Sequence, residues 1–121
     1  MRLDHVHPLT GEGEPDLTDA LPERVLAGSG VAKVWNGFTG EGGRFSAGIW
    51  QAQPGVLAVD YTETEVCVLL EGRVRLTSDA GSFEFEEGEA FVIAAGFKGS
   101  WESVGRVTKA YAILEPPVTQ A

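Results

Sequence analysis

From Val31 onward the chain is a series of short apolar runs, each ended by residues that favour turns. The runs are 31–35, 44–51, 56–61, 65–71, 73–78, 82–86, 90–93, 99–104 and 107–114. Between them stand Asn36-Gly37, the glycines from 40 to 43, Pro54-Gly55, Glu71-Gly72, Asp79-Ala80-Gly81, Glu87-Gly88, Gly96 and Gly105. Runs this short and this closely spaced predict strands of an all-β sandwich or barrel. No long window repeats apolar residues at i, i+3, i+4 and i+7, which argues against a helical bundle.

Alternation assigns faces. In 82–86, Phe83 and Phe85 alternate with Ser82, Glu84 and Glu86, as on a half-buried strand. In 65–71, one face carries Glu65, Cys67 and Leu69 and the other Val66, Val68 and Leu70, so a central strand covered on both sides is expected. In 107–114, Val107, Lys109, Tyr111 and Ile113 share a face. A lysine among apolar neighbours needs a partner, because burying an unpaired ammonium is costly. Residues 1–30 show little periodicity and carry Pro8, Pro15 and Pro22. They read as an extended arm with at most a short helical turn around 19–26, lying on the barrel or on a partner subunit. The expected organisation is an arm over 1–30, one barrel over 31–115 and a tail over 116–121.

The 121 residues suffice for one domain with a core of its own. A formal charge of −9 supplies no basic footprint for nucleic acid and disfavours an anionic membrane surface. The single cysteine, Cys67, excludes an internal disulfide and a thiolate zinc cluster, and its apolar surroundings favour a small buried hydrophobe over a nucleophile. With no apolar leader and no membrane-length apolar stretch, a soluble cytoplasmic protein is expected. His5-Val6-His7 has ligand-like spacing, but its place in a proline-rich arm favours a solvated tail. The glycines from 40 to 43 lack the Lys-Ser/Thr and following helix of a phosphate loop.

Several stretches together resemble the cupin superfamily. Gly55, Glu65 and the hairpin Leu70-Glu71-Gly72-Arg73-Val74 are similar to its first motif, and Gly88 through Gly96 to Gly99 are similar to its second. Gly48-Ile49-Trp50, Tyr61 to Gly72, Gly88 to Ile93, Gly96 to Glu102 and Lys109-Ala110-Tyr111 resemble more closely the ureidoglycine aminohydrolase and ethanolamine-utilisation type of small cupin, over about residues 44–114. The resemblance implies a single-domain double-stranded β-helix, a jelly-roll-like barrel, with Glu65 facing inward. It also implies a metal held by three histidines and a glutamate, and here the chain departs. Val59, Tyr61 (or Asp60) and Gly99 stand where histidines belong. A lone glutamate is a poor transition-metal site, so no tightly bound metal and no cofactor are expected.

What remains is a polar group in an apolar cup. Glu65 and Lys109 are the candidate acid–base pair, and Trp50, Tyr61, Cys67, Trp101 and Tyr111 are candidate ligand-binding neighbours. Trp50 and Trp101 are expected to wall the site, and Lys98 to be solvated at its edge. Three functions stay open: a small-molecule binder, an enzyme acting without strong metal dependence on a small ureido, amino or carboxylic substrate, and a structural or accessory homodimer. A homodimer is expected in any case, through 31–35 or the arm.

Overall fold

The computed structural model describes residues 3–117. The strands are β1 (Asp16–Asp19), β2 (Val25–Ala27), β3 (Val31–Gly40), β4 (Phe45–Ala52), β5 (Gly55–Asp60), β6 (Thr64–Ser78), β7 (Gly81–Glu86), β8 (Ala90–Ile93) and β9 (Lys98–Leu114). All pairings are antiparallel. The chain forms a jelly-roll-like all-β barrel: one antiparallel sheet folded over into two layers. The first layer runs β1, β3, β4, the second half of β9, the first half of β6, then β8. The second runs β2, β5, the first half of β9, the second half of β6, then β7.

The layers are joined by β6 and β9, each of which spans two of the runs expected separately. Glu71-Gly72 and Gly105 do not end strands; they bend them. The register between β6 and β9 slips on both sides of Glu71. Gly72 and Gly105 take φ of 88° and 78°, a left-handed conformation that costs other residues energy. At Gly72 there is a second constraint, since a Cβ would run into the Arg106 carbonyl of the crossing strand.

Inside the fold, Cys67, Leu69, Val74, Phe91, Ile93, Trp101 and Val107 form one buried cluster, with Phe85 stacked on Phe91 at 4.1 Å. Phe83, expected on the same half-buried face as Phe85, is mostly exposed, because β7 is an edge strand and its far end overhangs the core.

Two other expectations are corrected. The face of β6 carrying Val66, Val68 and Leu70 is not covered but exposed. Apolar residues on both faces show that both repel water, not that this chain supplies two covering layers. The arm, expected as extended chain with at most a short helical turn, supplies strand β1, which pairs along 31–35 from Asp16↔Val34 to Asp19↔Val31. The arm is thus partly strand, with β2 extending the second layer beside β5 and a 3-10 turn, Pro22–Arg24, between the two. Among the described residues no helix is long and apolar enough to cross a membrane.

Candidate functional site

Strand alternation carries Glu65 and Lys109 to the inner surface. Glu65 lies opposite Ile113 and Ile93, and Lys109 lies between Trp50 on β4 and Leu69 on β6. The two charges are two inward positions apart along the β6–β9 ladder, and the long lysine side chain closes the gap. Its Nζ stands 2.8 Å from Glu65 Oε2, with the side chains 6% and 5% exposed. The other carboxylate oxygen, Oε1, accepts a hydrogen bond from the Tyr61 hydroxyl at 3.0 Å. Tyr61 is held just past β5 by its backbone: its N–H donates to Phe97 and its carbonyl accepts from Gly96.

Two indoles hold the ammonium as well. Lys109 Nζ lies 4.6 Å from the ring centre of Trp50 and 4.2 Å from that of Trp101, and the rings meet edge to face at 77°. Cation–π attraction in a desolvated setting reinforces the ion pair. The faces of Trp50 and Trp101, expected as walls for a ligand ring, thus also serve the lysine. Trp101 is fixed in turn by its Nε1–H, which donates to Ser103 Oγ at 3.0 Å.

These residues form the base and sides of an open cavity of about 490 Å³, within the range of small-molecule sites. Glu65, Lys109, Trp50, Tyr61 and Trp101 line it, as do the apolar Leu57, Val59 and Ile113. Cys67 and Tyr111 do not. The Cys67 thiol lies in the core beneath the pair, where burial pushes its pKa up to about 12. The Tyr111 hydroxyl turns away to donate to Asn36 Oδ1 at 2.9 Å. A second hollow of about 540 Å³ between β7 and β8 has no ionisable side chain in its lining, whereas Glu65 and Lys109 line the first.

The structure adds a residue that sequence alone did not single out. Arg24, from the 3-10 turn of the arm, lines the mouth of the cavity together with Asp60 and Glu63. The only local signal was Pro22, which favours the first position of such a turn. Lys98 lies nearby, with its Nζ 3.8 Å from Asp60 and its side chain mostly exposed.

The donor set does not suit a cupin metal. Glu65 is the only acid at the base of the cavity and its charge is met by an ammonium, while no cluster of three or more His, Cys, Asp or Glu among the described residues is placed to hold an ion. A histidine at position 99 would not fit without movement of the backbone, since a Cβ on Gly99 would overlap the Thr77 carbonyl. His7 packs against Phe38 on the outside of the barrel, 4.8 Å between ring centres.

Burial and the neighbouring Glu65 carboxylate raise the Tyr61 phenol far above its ordinary value of 10.0. A raised folded-state pKa contributes stability that is fully present below the unfolded value and is lost as the pH climbs above it. Above pH 10 the unfolded chain therefore ionises Tyr61 while the folded chain does not, a loss of about 1.4 kcal/mol per pH unit. Tyr61→Phe should flatten the fall in unfolding free energy between pH 10 and 11 by about 1 kcal/mol, since the unfolded phenol is half ionised at the start of that interval, as read from urea denaturation at stepped pH. Equal slopes in the two proteins would mean that the phenol ionises freely in the folded state.

Two bent strands crossing between layers, with a polar cup at one mouth, define the class: a cupin barrel. The profile of the EutQ-like cupin domain family matches residues 39–111, more than half of the chain, and the chain belongs to that family. Among solved structures, it is similar to a protein of unknown function of the DUF861 family from Pseudomonas syringae pv. tomato, at 27% identity and a TM-score of 0.70 over 92% of this chain and 46% of that one. The chain thus spans about half the length of that relative. The EutQ protein of Clostridium difficile shares the fold at 17% identity and a TM-score of 0.62, over 70% of this chain and 68% of that one. A putative ethanolamine utilization protein Q of Salmonella typhimurium does so at 15% identity and 0.64, over 88% of this chain and all 100% of that one. No protein of curated function matches the sequence.

Proposed function

We propose that this cupin binds a small polar molecule at the mouth of its barrel, in the cytoplasm and as a homodimer. The observation that carries this reading is the buried Glu65–Lys109 pair at the base of an open cavity. A buried ion pair is weak as a source of stability, since well-packed hydrophobes of similar volume often do as well or better. Its use here is to offer a ligand a carboxylate acceptor and an ammonium donor side by side, with the Tyr61 hydroxyl next to them. The pair is close to neutral as a unit, so the ligand it suits combines hydrogen-bond donors and acceptors: a small ureido, amino or carboxylic compound. Arg24 adds a cation at the mouth.

An enzymatic role is the second reading, favoured by the contact of one carboxylate with both a lysine and a phenol. Glu65 and Lys109 would move the proton, and Tyr61, kept protonated by burial, would donate a hydrogen bond without acting as a base.

A thermal-shift screen of small acids, ureido compounds and amines tests the binding reading. A ligand at 100 times its dissociation constant is expected to add about 2.7 kcal/mol of stability. For a compound that does so, Glu65→Gln should weaken binding at least tenfold. If that substitution abolishes turnover while only weakening binding, the protein is an enzyme; equal loss of both favours a binder. A screen in which nothing raises the melting temperature leaves the scaffold role.

A further inference from the structure

The outside of the first layer is apolar across five strands, yet only half of it is covered. One row of outward residues, set by the register, runs Phe38, Ala47, Ala112, Val66, Val92, and the next runs Trp35, Ile49, Ala110, Val68, Ala90. On the β3–β4 side the arm lies against these rows. His7 packs on Phe38, Gly11 lies beside Ile49 and Trp35, and the Trp35 indole N–H donates to the Gly13 carbonyl at 2.9 Å. There Ala47 and Ile49 are 8% and 5% exposed. On the β6–β8 side nothing among the described residues lies over them, and Val66, Val68 and Val92 are 42%, 36% and 59% exposed. Leu70 and Leu114 extend the bare area, and Thr64, Thr108 and the alanines complete it without a charge.

We infer that this bare half-face is where a second copy of the chain packs, sheet against sheet, related by a two-fold axis. The inference locates the interface of the homodimer proposed above and is independent of what the cavity binds. Charge selects the occupant. A partner recruited by electrostatics to a chain of net charge −9 would be basic and would seek acids, and inside its rim this face carries none. A second copy brings the same negative charge and can approach closely only where neither surface is charged. Area agrees. Five part-exposed aliphatic side chains with the alanines between them amount to a few hundred Å², the apolar centre of an interface that typically buries about 800 Å² on each partner. The Glu71–Arg106 ion pair, with Thr108 bonded to the same carboxylate, supplies a polar rim at one end. Aligned packing of two such faces would repeat between subunits the layering already present within each.

Sedimentation velocity on the full chain, with wild type compared to Val66→Lys and Val92→Lys, tests this. The wild type is expected at twice the chain mass of 12.9 kDa, and both variants at the chain mass with unchanged circular dichroism and a dimer dissociation constant raised at least 100-fold. Placing the two lysines on different strands guards against one of them failing to fold. A monomeric wild type sinks the dimer and its face together, including the case in which it associates only with a different protein. A folded variant that remains fully dimeric sinks the face alone and moves the interface to an edge strand.

Discussion

Lys109→Met is expected to lower the unfolding free energy by about 3–5 kcal/mol, the usual cost of removing one member of a buried ion pair. Methionine fills much of the volume of the lysine stem, so little of the loss comes from packing. What is left behind is the Glu65 carboxylate, 4% exposed, with the Tyr61 hydroxyl its remaining hydrogen-bond donor. Glu65→Leu with Lys109 intact should cost a similar amount, because the ammonium then keeps only the indole faces. The double substitution Glu65→Leu with Lys109→Met should recover most of either loss, since it leaves no buried charge. Urea denaturation of the four proteins at one pH gives the coupling energy directly. Additive losses would show that the two charges are solvated independently. A pair that can be replaced as a unit without loss of stability, yet is present in the cavity wall, supports a role in recognition.

Gly72→Ala is expected to cost about 2–4 kcal/mol, from two sources. One is the positive φ of 88°, which costs an L-residue about 1–2 kcal/mol. The other is overlap of the new methyl with the Arg106 carbonyl, on a crossing strand that cannot yield without disturbing the β6–β9 ladder. Gly105→Ala separates the two terms. Gly105 sits at the matching bend of β9 with φ 78°, but no atom lies within 4 Å of its added Cβ. It should therefore lose only the conformational part, about 1–2 kcal/mol. Thermal or urea unfolding of the two variants measures the difference. Equal losses would mean that β6 can shift away from β9 at no cost, so that the bend is set by backbone conformation alone.

The two glycines also show where reading the sequence succeeds and where it stops. As turn residues they correctly mark a change of chain direction. Whether the strand ends there or continues into a second layer depends on partners far away in sequence: Arg73 pairs with Val104 past the bend and Leu69 with Lys109 before it. Local composition does not encode that distinction. The site divides in the same way. Alternation puts Lys109 on the apolar face of its strand, the resemblance puts Glu65 inward, and the cost of an unpaired buried charge demands partners for both. Tyr111 sits on the same face as Lys109 and invites the same inference, but the strand register directs its hydroxyl to Asn36. Arg24 carries no pattern at all; it reaches the cavity only because β2 pairs with β5 and brings the preceding turn to the mouth.

The sequence by itself determined the all-β class and the approximate positions of the strands after residue 30, and its resemblance to the cupins implied the inward Glu65 and the barrel positions left without histidines. The class and the strand positions follow from residue type and a period of two, both local properties. Tertiary structure alone decided that the arm supplies two strands, that the bends join two layers, that Cys67 and Tyr111 lie outside the cavity, and that the described residues leave one apolar half-face bare. Each of those outcomes depends on which strand lies beside which, and that is set by packing across the whole chain, not by any single stretch of it.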